Sequence, residues 1–579
     1  MDTFYTNERN TQILISLMKA HGVRKVIASP GTTNISLVAS LQQDPFFEVY
    51  SSVDERSAAY IACGMAAESG EAVALSCTGA TASRNYMPGL TEAFYRKLPV
   101  LAITSTQHSG RIGQNVPQVI DRTTVLNDIA KMSIQVPSVL SEEDEWAYSV
   151  KINEAILELF HHGGGPVHIN LTTTYSRDFS VKELPPVQVI NRVCYGDSLP
   201  QIAGKIGIYV GSHKKWSDEL TELVDRFCES YNAVVLCDHT SNYQGKYGVL
   251  AGLLCSQTNY VPACRRLDVL IHMGDVSGSN IFPIAKEAWR VHPDGVIRDT
   301  FKNLRYTFEM KEEDFFRCYV AQREQSVKNT AFYNEWKLEC EDLQKCIPEL
   351  PFSNVWIAQN TIAGLPEESV LHLGILNSLR TWNFFEKPKG ILGYSNTGGF
   401  GIDGNISSVL GASLAAKDKL FFAVIGDLAF FYDMNVLGNR HFGNNVRLLV
   451  VNNGRGTEFR NYNHPAARFG EEADKYMAAA GHYGQKSPNL IKHYAEDLGF
   501  AYISAACKEE YLEMVDRFLE PTVCEKPMVF EVFTDSRDES DALEIVYNLK
   551  TDSVSKAKQI ARDVLGEKGI QTIKKIIKK

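Results

Sequence analysis

Absences narrow the field first. None of the twelve cysteines in this 579-residue chain forms a Cys-x-x-Cys pair, which excludes a zinc ribbon and a thioredoxin-type redox centre and leaves them as small core residues. No apolar run is long enough to span a bilayer, and Met1-Asp-Thr-Phe-Tyr-Thr-Asn-Glu8 has neither the basic start nor the apolar stretch of a secretory signal. The expectation is a soluble, cytoplasmic protein without membrane attachment. Basic charge is short as well: 59 Lys plus Arg face 69 Asp plus Glu, for a net charge of -10. Nucleic acid as the main partner is thereby excluded, because neutralising phosphates needs a basic face. The strand-like runs over 205–275 carry no dinucleotide fingerprint Gly-x-Gly-x-x-Gly either. What remains is a small-molecule enzyme, and its length predicts about three domains of ordinary size.

What is present is repeated alternation of short apolar runs with helical patterns. Asn10 to His21 is amphipathic, Lys25 to Gly31 is a strand running into a turn, and strands follow at 47–53, 72–77 and 99–105 with helices at 54–69 and 83–97. This order predicts an α/β fold with doubly wound parallel sheets. The proline-bearing stretch 179–204 reads as a linker, strand-like runs at 205–212, 233–238 and 267–275 form a second α/β domain, and the charged stretch 311–345 reads as a solvated helix and connection. The expected domains are 1–184, 190–345 and 352–548, followed by a basic helical tail over 549–579. The tail reads as a helix docking on its own subunit, since it lacks aromatic membrane anchors.

Polar residues gather where strands end. Asp427 and Asn453 follow two apolar runs, Leu420 to Ile425 and Val446 to Val451, joined by a helical pattern over Phe431 to Gly443. Ends of neighbouring parallel strands are where open sheets bind ligands, and a carboxylate, an amide oxygen and a backbone carbonyl together suit magnesium, which would hold phosphates. The alternative is that both residues only cap helices or close turns. In the first domain Glu55 opens a helix, as a cap or as a functional carboxylate, and Gly79, Ala80 and Thr81 open another, where small residues let a ligand approach the backbone. Gln107, His108 and Gln118 lie in a polar loop after the 99–105 strand. Asn461 to Gly484 reads as a lid or an ordinary surface excursion.

Taken in order, Ser29-Pro-Gly31, Asp54-Glu-Arg-Ser-Ala-Ala59, Thr78 to Asn85, Asn377-Ser-Leu379, Ser395-Asn396 with Gly401-Ile-Asp-Gly404, Gly426-Asp-Leu-Ala429 and Val450-Val-Asn-Asn453 resemble the thiamine-diphosphate-dependent decarboxylase and acetolactate-synthase superfamily. Within it they are most similar to the menaquinone-pathway SEPHCHC synthase family. The resemblance implies a pyrimidine-binding, a central and a diphosphate-binding domain, and a homodimer or homotetramer with thiamine diphosphate between the first domain of one subunit and the third of its partner. It implies Asp427, Asn453 and the carbonyl of Arg455 as Mg2+ ligands, although the family commonly has Gly where this chain has Arg455. It further implies cofactor contacts from Gly79, Ala80, Thr81, Asn377, Ser378, Gly401, Asp403, Leu428 and Ala429, Ile402 as the apolar support that keeps the cofactor bent, and Glu55 as the carboxylate on its aminopyrimidine. Gln107, His108 and Gln118 would face the reacting carbon. The implied chemistry is loss of CO2 from a 2-oxo acid, with the thiazolium ring as electron sink.

Departures from that family concern the substrate. Thr32-Thr33-Asn34 stands where the family follows Ser-Pro-Gly with Ser-Arg, Asn396-Thr397-Gly398 stands for Asn-Arg-Gly, and a further substrate arginine falls at Trp382. Bidentate guanidinium contacts are not easily replaced, so the chain is expected not to make SEPHCHC. Arg84, Arg111 and Arg380 are candidates for a different anion-binding set. The expected function is decarboxylation of a small 2-oxo acid with transfer of the acyl anion to an acceptor, a carbonyl or an activated alkene. The alternatives are a simple decarboxylase of a phosphono-, sulfo- or aryl-pyruvate and a non-catalytic cofactor-binding relative.

Overall fold

In the computed structural model, residues 4–279, 281–323 and 327–552 are described. Among the described residues, nineteen strands build three sheets. The first contains β1 (Lys25–Ala28), β2 (Glu48–Ser51), β3 (Val73–Cys77), β4 (Val100–Thr106), β5 (Met132–Val136) and β6 (Val167–Thr172), in the order β2-β1-β3-β4-β6-β5. The second contains β7 (Asn191–Cys194), β8 (Ile206–Val210), β9 (Ala233–Cys237), β10 (Gly248–Leu250), β11 (Arg266–Met273), β12 (Ile284–Val291) and β13 (Leu304–Glu309), in the order β10-β9-β8-β11-β12-β13-β7. The third contains β14 (Val370–Leu373), β15 (Leu392–Tyr394), β16 (Phe421–Gly426), β17 (Val446–Asn452), β18 (Ala501–Ala505) and β19 (Met528–Phe533), in the order β15-β14-β16-β17-β19-β18. All strand pairs of the first and third sheets run parallel. The α/β fold of parallel sheets is the one expected.

By contacts the chain falls into two compact units. One comprises residues 1–199, 288–290 and 294–309, and the other comprises 200–287, 291–293 and 310–579. In the first, β3, β4 and β6 are buried along their whole length, as strands covered on both faces must be. One apolar layer includes Ile13, Leu17, Leu101 and Ile169, and the other includes Ala59, Leu75, Leu90 and Ala102. Helix Glu55–Ser69 starts where the Asp54 side chain accepts from the Arg56 N–H and stops at Gly70, whose φ of 68° suits glycine. In the second unit, β16 and β17 bury Phe421, Ala423, Ile425, Leu448 and Val450 against Val409, Phe430 and Ile491. Within that unit Asn242 also exchanges two hydrogen bonds with the backbone of Gly393, at 2.8 and 3.1 Å.

Three readings change. The stretch 179–204 is no plain linker: it contains β7, paired in parallel with β13, and Val181 bridges to Tyr5. Strand pairing across more than a hundred residues leaves no local signature in a proline-rich segment. The stretch 311–345 forms two helices, Glu312–Ala321 and Ala331–Lys345, that bury Phe315, Phe316, Tyr319, Phe332, Trp336 and Leu343, so each charged run has an inner apolar stripe. The helix expected at 431–443 begins earlier, as Asp427–Asp433, and tightens into a 3-10 turn over Met434–Gly438. The basic tail, beyond Asp552, lies outside the described residues. Among the described residues no helix is long and apolar enough to cross a membrane.

Candidate functional site

Parallel pairing of β16 with β17 sets Gly426 opposite Val451, so both strands deliver their next residues to the same edge of the sheet. Asp427 arrives there buried, as the first residue of its helix. Burial raises its carboxyl to about 7, against the pull of the Leu428 and Gly454 N–H groups, and buried Glu531 on neighbouring β19 pushes the same way. Asn453 arrives with its Oδ1 shielded from solvent and without any hydrogen-bond partner. A buried carboxylate beside an orphaned amide oxygen is an acceptor set lacking its electropositive partner. Oxygen donors of this kind suit a hard divalent cation, which would keep Asp427 ionised, so these residues fit the expected ion. The Arg455 carbonyl already accepts from the Thr457 N–H at 3.0 Å, while its guanidinium turns to Asp474 at 2.6 Å.

Glu531 escaped sequence reading. It is fully buried in β19, accepts from Asn452 Nδ2 at 2.6 Å and from the Tyr502 hydroxyl at 2.8 Å, and burial raises its carboxyl. A lone Glu in an apolar strand was the available signal. By gripping Asn452, it fixes the backbone that presents Asn453.

Other expected residues of this unit lie in two braced turns. Leu376 takes a φ of 67° just before helix Asn377–Trp382, a strained state for a branched residue. Asn377 Oδ1 accepts from Arg380 at 3.0 Å and from Asn461 at 3.1 Å, while buried Ser378 accepts from Asn354 at 3.2 Å. Gly401, Ile402 and Asp403 form the turn into helix Asn405–Ala415. The Ile402 carbonyl accepts from Asn405 at 2.6 Å, and Asp433 caps the helix through the Ser407 N–H at 2.6 Å. Half-buried Leu428 and buried Ala429 continue the Asp427 helix. The 461–484 segment is tied down at its start by Asn461 and further on by Tyr483, whose ring stacks on Phe431 at 4.7 Å.

Arg380 is held by Glu458 in a two-pronged ion pair at 2.8 and 3.0 Å, so it is no free anion binder. Trp382 is fully buried, its indole donating to Asn354 at 3.0 Å; the position faces the core. Thr33 and Asn34 are likewise buried and bonded, to Ser105 O at 3.0 Å and Ser29 O at 2.9 Å.

In the first unit, Glu55 sits half-buried at the head of its helix and accepts from Asn85 Nδ2 at 3.3 Å. Val53, 78% exposed, and Tyr60 and Ile61 leave an apolar surface around it. The β3 turn carries Gly79 and Ala80, the latter strained at φ 55°, before Thr81 starts a short helix. A Cβ on Gly79 would lie 3.0 Å from the Gln118 carbonyl, so the structure brings Gln118, itself at φ 62°, onto this turn. His108 is exposed and caps its own loop through the Gly110 N–H at 3.0 Å, and Gln107 pairs with Arg111. Elsewhere in this unit His161, His162 and Glu309 cluster at 2.6 to 2.7 Å, with Glu158 and Arg192 alongside.

Residues 9–125 match the family described as thiamine pyrophosphate enzyme, N-terminal TPP binding domain. Over 569 residues the chain is 31% identical to a 2-succinyl-5-enolpyruvyl-6-hydroxy-3-cyclohexene-1-carboxylate synthase of Bacteroides fragilis, covering 94% of this chain and 99% of the relative. The namesake enzyme of Desulfotalea psychrophila is 28% identical over 543 residues, covering 89% and 96%. A solved Rhodococcus jostii thiamine diphosphate-dependent 4-hydroxybenzoylformate decarboxylase aligns at a TM-score of 0.37 and 16% identity over 91% of this chain and 99% of that one. The chain therefore belongs to the thiamine-diphosphate-dependent enzymes of the decarboxylase and synthase type, in the family of the 2-succinyl-5-enolpyruvyl-6-hydroxy-3-cyclohexene-1-carboxylate synthases.

Proposed function

We propose that this chain decarboxylates a small 2-oxo acid and transfers the resulting acyl unit to a carbonyl acceptor. The observation that carries the reading is the buried Asp427 beside the partnerless Asn453 Oδ1, an acceptor pair shaped for the magnesium that accompanies a diphosphate. When bound, thiamine diphosphate supplies the electron sink for loss of CO2. Asp427, Asn453 and the Arg455 carbonyl would hold the ion, and the strained Leu376 turn would present Asn377 to the diphosphate. Ile402 would press on the cofactor from the apolar side. Glu55, with one neutral hydrogen-bond partner, is free to hold and move a proton on the aminopyrimidine. Its exposed apolar surroundings suit coverage by a second copy of the chain, which makes a homodimer the smallest active assembly.

Support for a substrate other than that of the namesake relatives comes from Thr33, Asn34 and Trp382, all engaged in internal bonds. A screen of 2-oxo acids for CO2 release, with and without aldehyde and ketone acceptors, tests the proposal. The expected outcome is acceptor-dependent carbon–carbon bond formation. Release of free aldehyde that no acceptor diverts would make the chain a simple decarboxylase, and release from none of them would sink the reading.

A further inference from the structure

Among the described residues, buried arginines follow a rule with one exception. Arg265 donates to the carbonyls of Leu254 and Phe282, both at 3.3 Å. Arg290 is paired with Asp294 at 2.6 and 3.0 Å. Arg447 reaches the carbonyls of Phe518 and Thr522, each at 2.6 Å. Arg122 is as deeply buried, 3% exposed, yet its Nε, Nη1 and Nη2 all lack a hydrogen-bond partner. A desolvated guanidinium left without acceptors is among the most costly groups a fold can carry.

Its neighbours supply no counter-charge. Cys77 is a thiol that burial pushes up to about 12. His168, held between the Thr104 and Ser133 hydroxyls at 2.7 and 2.8 Å, is kept neutral by burial, which lowers it to about 3. Arg84 is a second cation, held by the Asp121 carbonyl at 3.2 Å. Burial accordingly draws even Arg122 down, to about 10.

A Cβ on Gly79 would stand 3.3 Å from Arg122 Nη2 and 3.0 Å from the Gln118 carbonyl, so the guanidinium abuts the β3 turn with its strained Ala80. Segment 107–121 holds only one short 3-10 turn, Ser109–Arg111, and is exposed over most of its length. Asn115 and Gln118 within it both have left-handed backbones, at φ 57° and 62°. Gln118 thus stands at the same turn as an empty-handed cation.

Resting on the proposed function, we propose that Arg122 is the anchor for the carboxylate of the 2-oxo acid, reached when Gln118 swings off the Gly79 turn. A planar fork with all its donors free matches the two oxygens of a carboxylate. The residue takes over the task left by the family arginines that this chain lacks.

The test uses the full chain without thiamine diphosphate, titrated with oxalate, inorganic phosphate or chloride at equal ionic strength, and follows both calorimetric binding and Tm. Oxalate is expected to bind and to raise Tm as it saturates the site. R122M should weaken oxalate about 100-fold, as truncating one side of a buried charged pair does. It should abolish the oxalate-dependent rise while melting, without anion, at or above the parent Tm, because an uncompensated charge has been removed. R122K, which keeps the charge but loses the fork, should recover part of the binding. Unchanged oxalate affinity in R122M, or a large fall in its anion-free Tm, overturns the proposal in favour of a structural arginine. An equal response to phosphate overturns the carboxylate assignment. Oxalate binding through Arg122 in a chain that releases CO2 from no 2-oxo acid would overturn the proposed function and leave the anion site standing.

Discussion

The first and third sheets have the same strand order: numbered from its own first strand, each reads second, first, third, fourth, sixth, fifth. They nevertheless end in different chemistry. At the ends of the third and fourth strands, the last sheet places Asp427 and Asn453, oxygen donors hidden from water. The equivalent ends of the first sheet carry the Gly79–Ala80 turn and the loop of Gln107 and His108, with buried Arg122 abutting the turn. Topology thus fixes where functional groups stand, and residue identity fixes the sign of charge gathered there: acceptors for a cation in one case, an unclaimed cation in the other.

The largest expected effect probes the acceptor end. Asp427→Ala should weaken magnesium-dependent thiamine diphosphate binding by roughly 100-fold or more by titration calorimetry, since it deletes a charged ligand. Binding unchanged within error would remove the cation site from the last sheet and break the contrast. Glu55→Gln should leave that binding nearly intact while lowering turnover by about 100-fold, the scale of a lost proton-transfer group. A comparable loss of cofactor affinity would show that the first sheet, too, works mainly by holding.

Buried titratable groups let pH distinguish the two regions. Glu539 in the second unit accepts from the Asn354 N–H and the Thr534 hydroxyl, and burial raises it to about 7. Its folded pKa lies above the unfolded value, so the folded state holds the extra proton, and stability falls as pH rises from about 4.5 to 7. His168 in the first unit behaves oppositely. Held down at about 3 by burial, it remains neutral when folded, so stability falls as pH drops below about 6.5. Glu539→Gln should flatten the first slope and His168→Gln the second, each by on the order of a few kcal/mol across its window in urea titrations. Identical pH profiles for both variants would contradict the assignment.

Two helix glycines give the smallest effects. In the first unit a Cβ on Gly89 would come within 2.4 Å of the Ala59 Cβ, whereas in the second Gly411 has nothing within 4 Å. Gly89→Ala should cost about 1–3 kcal/mol through overpacking, and Gly411→Ala should be neutral or stabilise by up to about 1 kcal/mol. Equal thermal shifts would mean that the two helix layers are packed alike.

Local pattern made much of this legible. Apolar strand runs closed by small or polar residues marked β1, β3, β4, β8, β9, β11, β16 and β17, because a parallel strand covered on both faces must be apolar throughout. Asp427, Asn453 and Glu55 stood out because they fall in the ordered set of motifs that carries the resemblance; alone, each could equally cap a helix or close a turn. The β7–β13 pairing stayed hidden, as did the buried aromatic stripes of 311–345, since both depend on partners far away in sequence. Arg122 was passed over for the opposite reason: nothing in Val119-Ile-Asp-Arg-Thr distinguishes a buried arginine from a surface one.

By itself, then, the sequence determined the parallel α/β plan and the cofactor class, and it nominated the oxygen donors proposed for the ion, since each rests on residue type and order along the chain. Tertiary structure alone decided which polar atoms lack partners. It tied Arg380, Trp382 and Asn34 into internal bonds and left Arg122 and the Asn453 oxygen without any, because desolvation and hydrogen-bond satisfaction are properties of the surroundings that folding assembles.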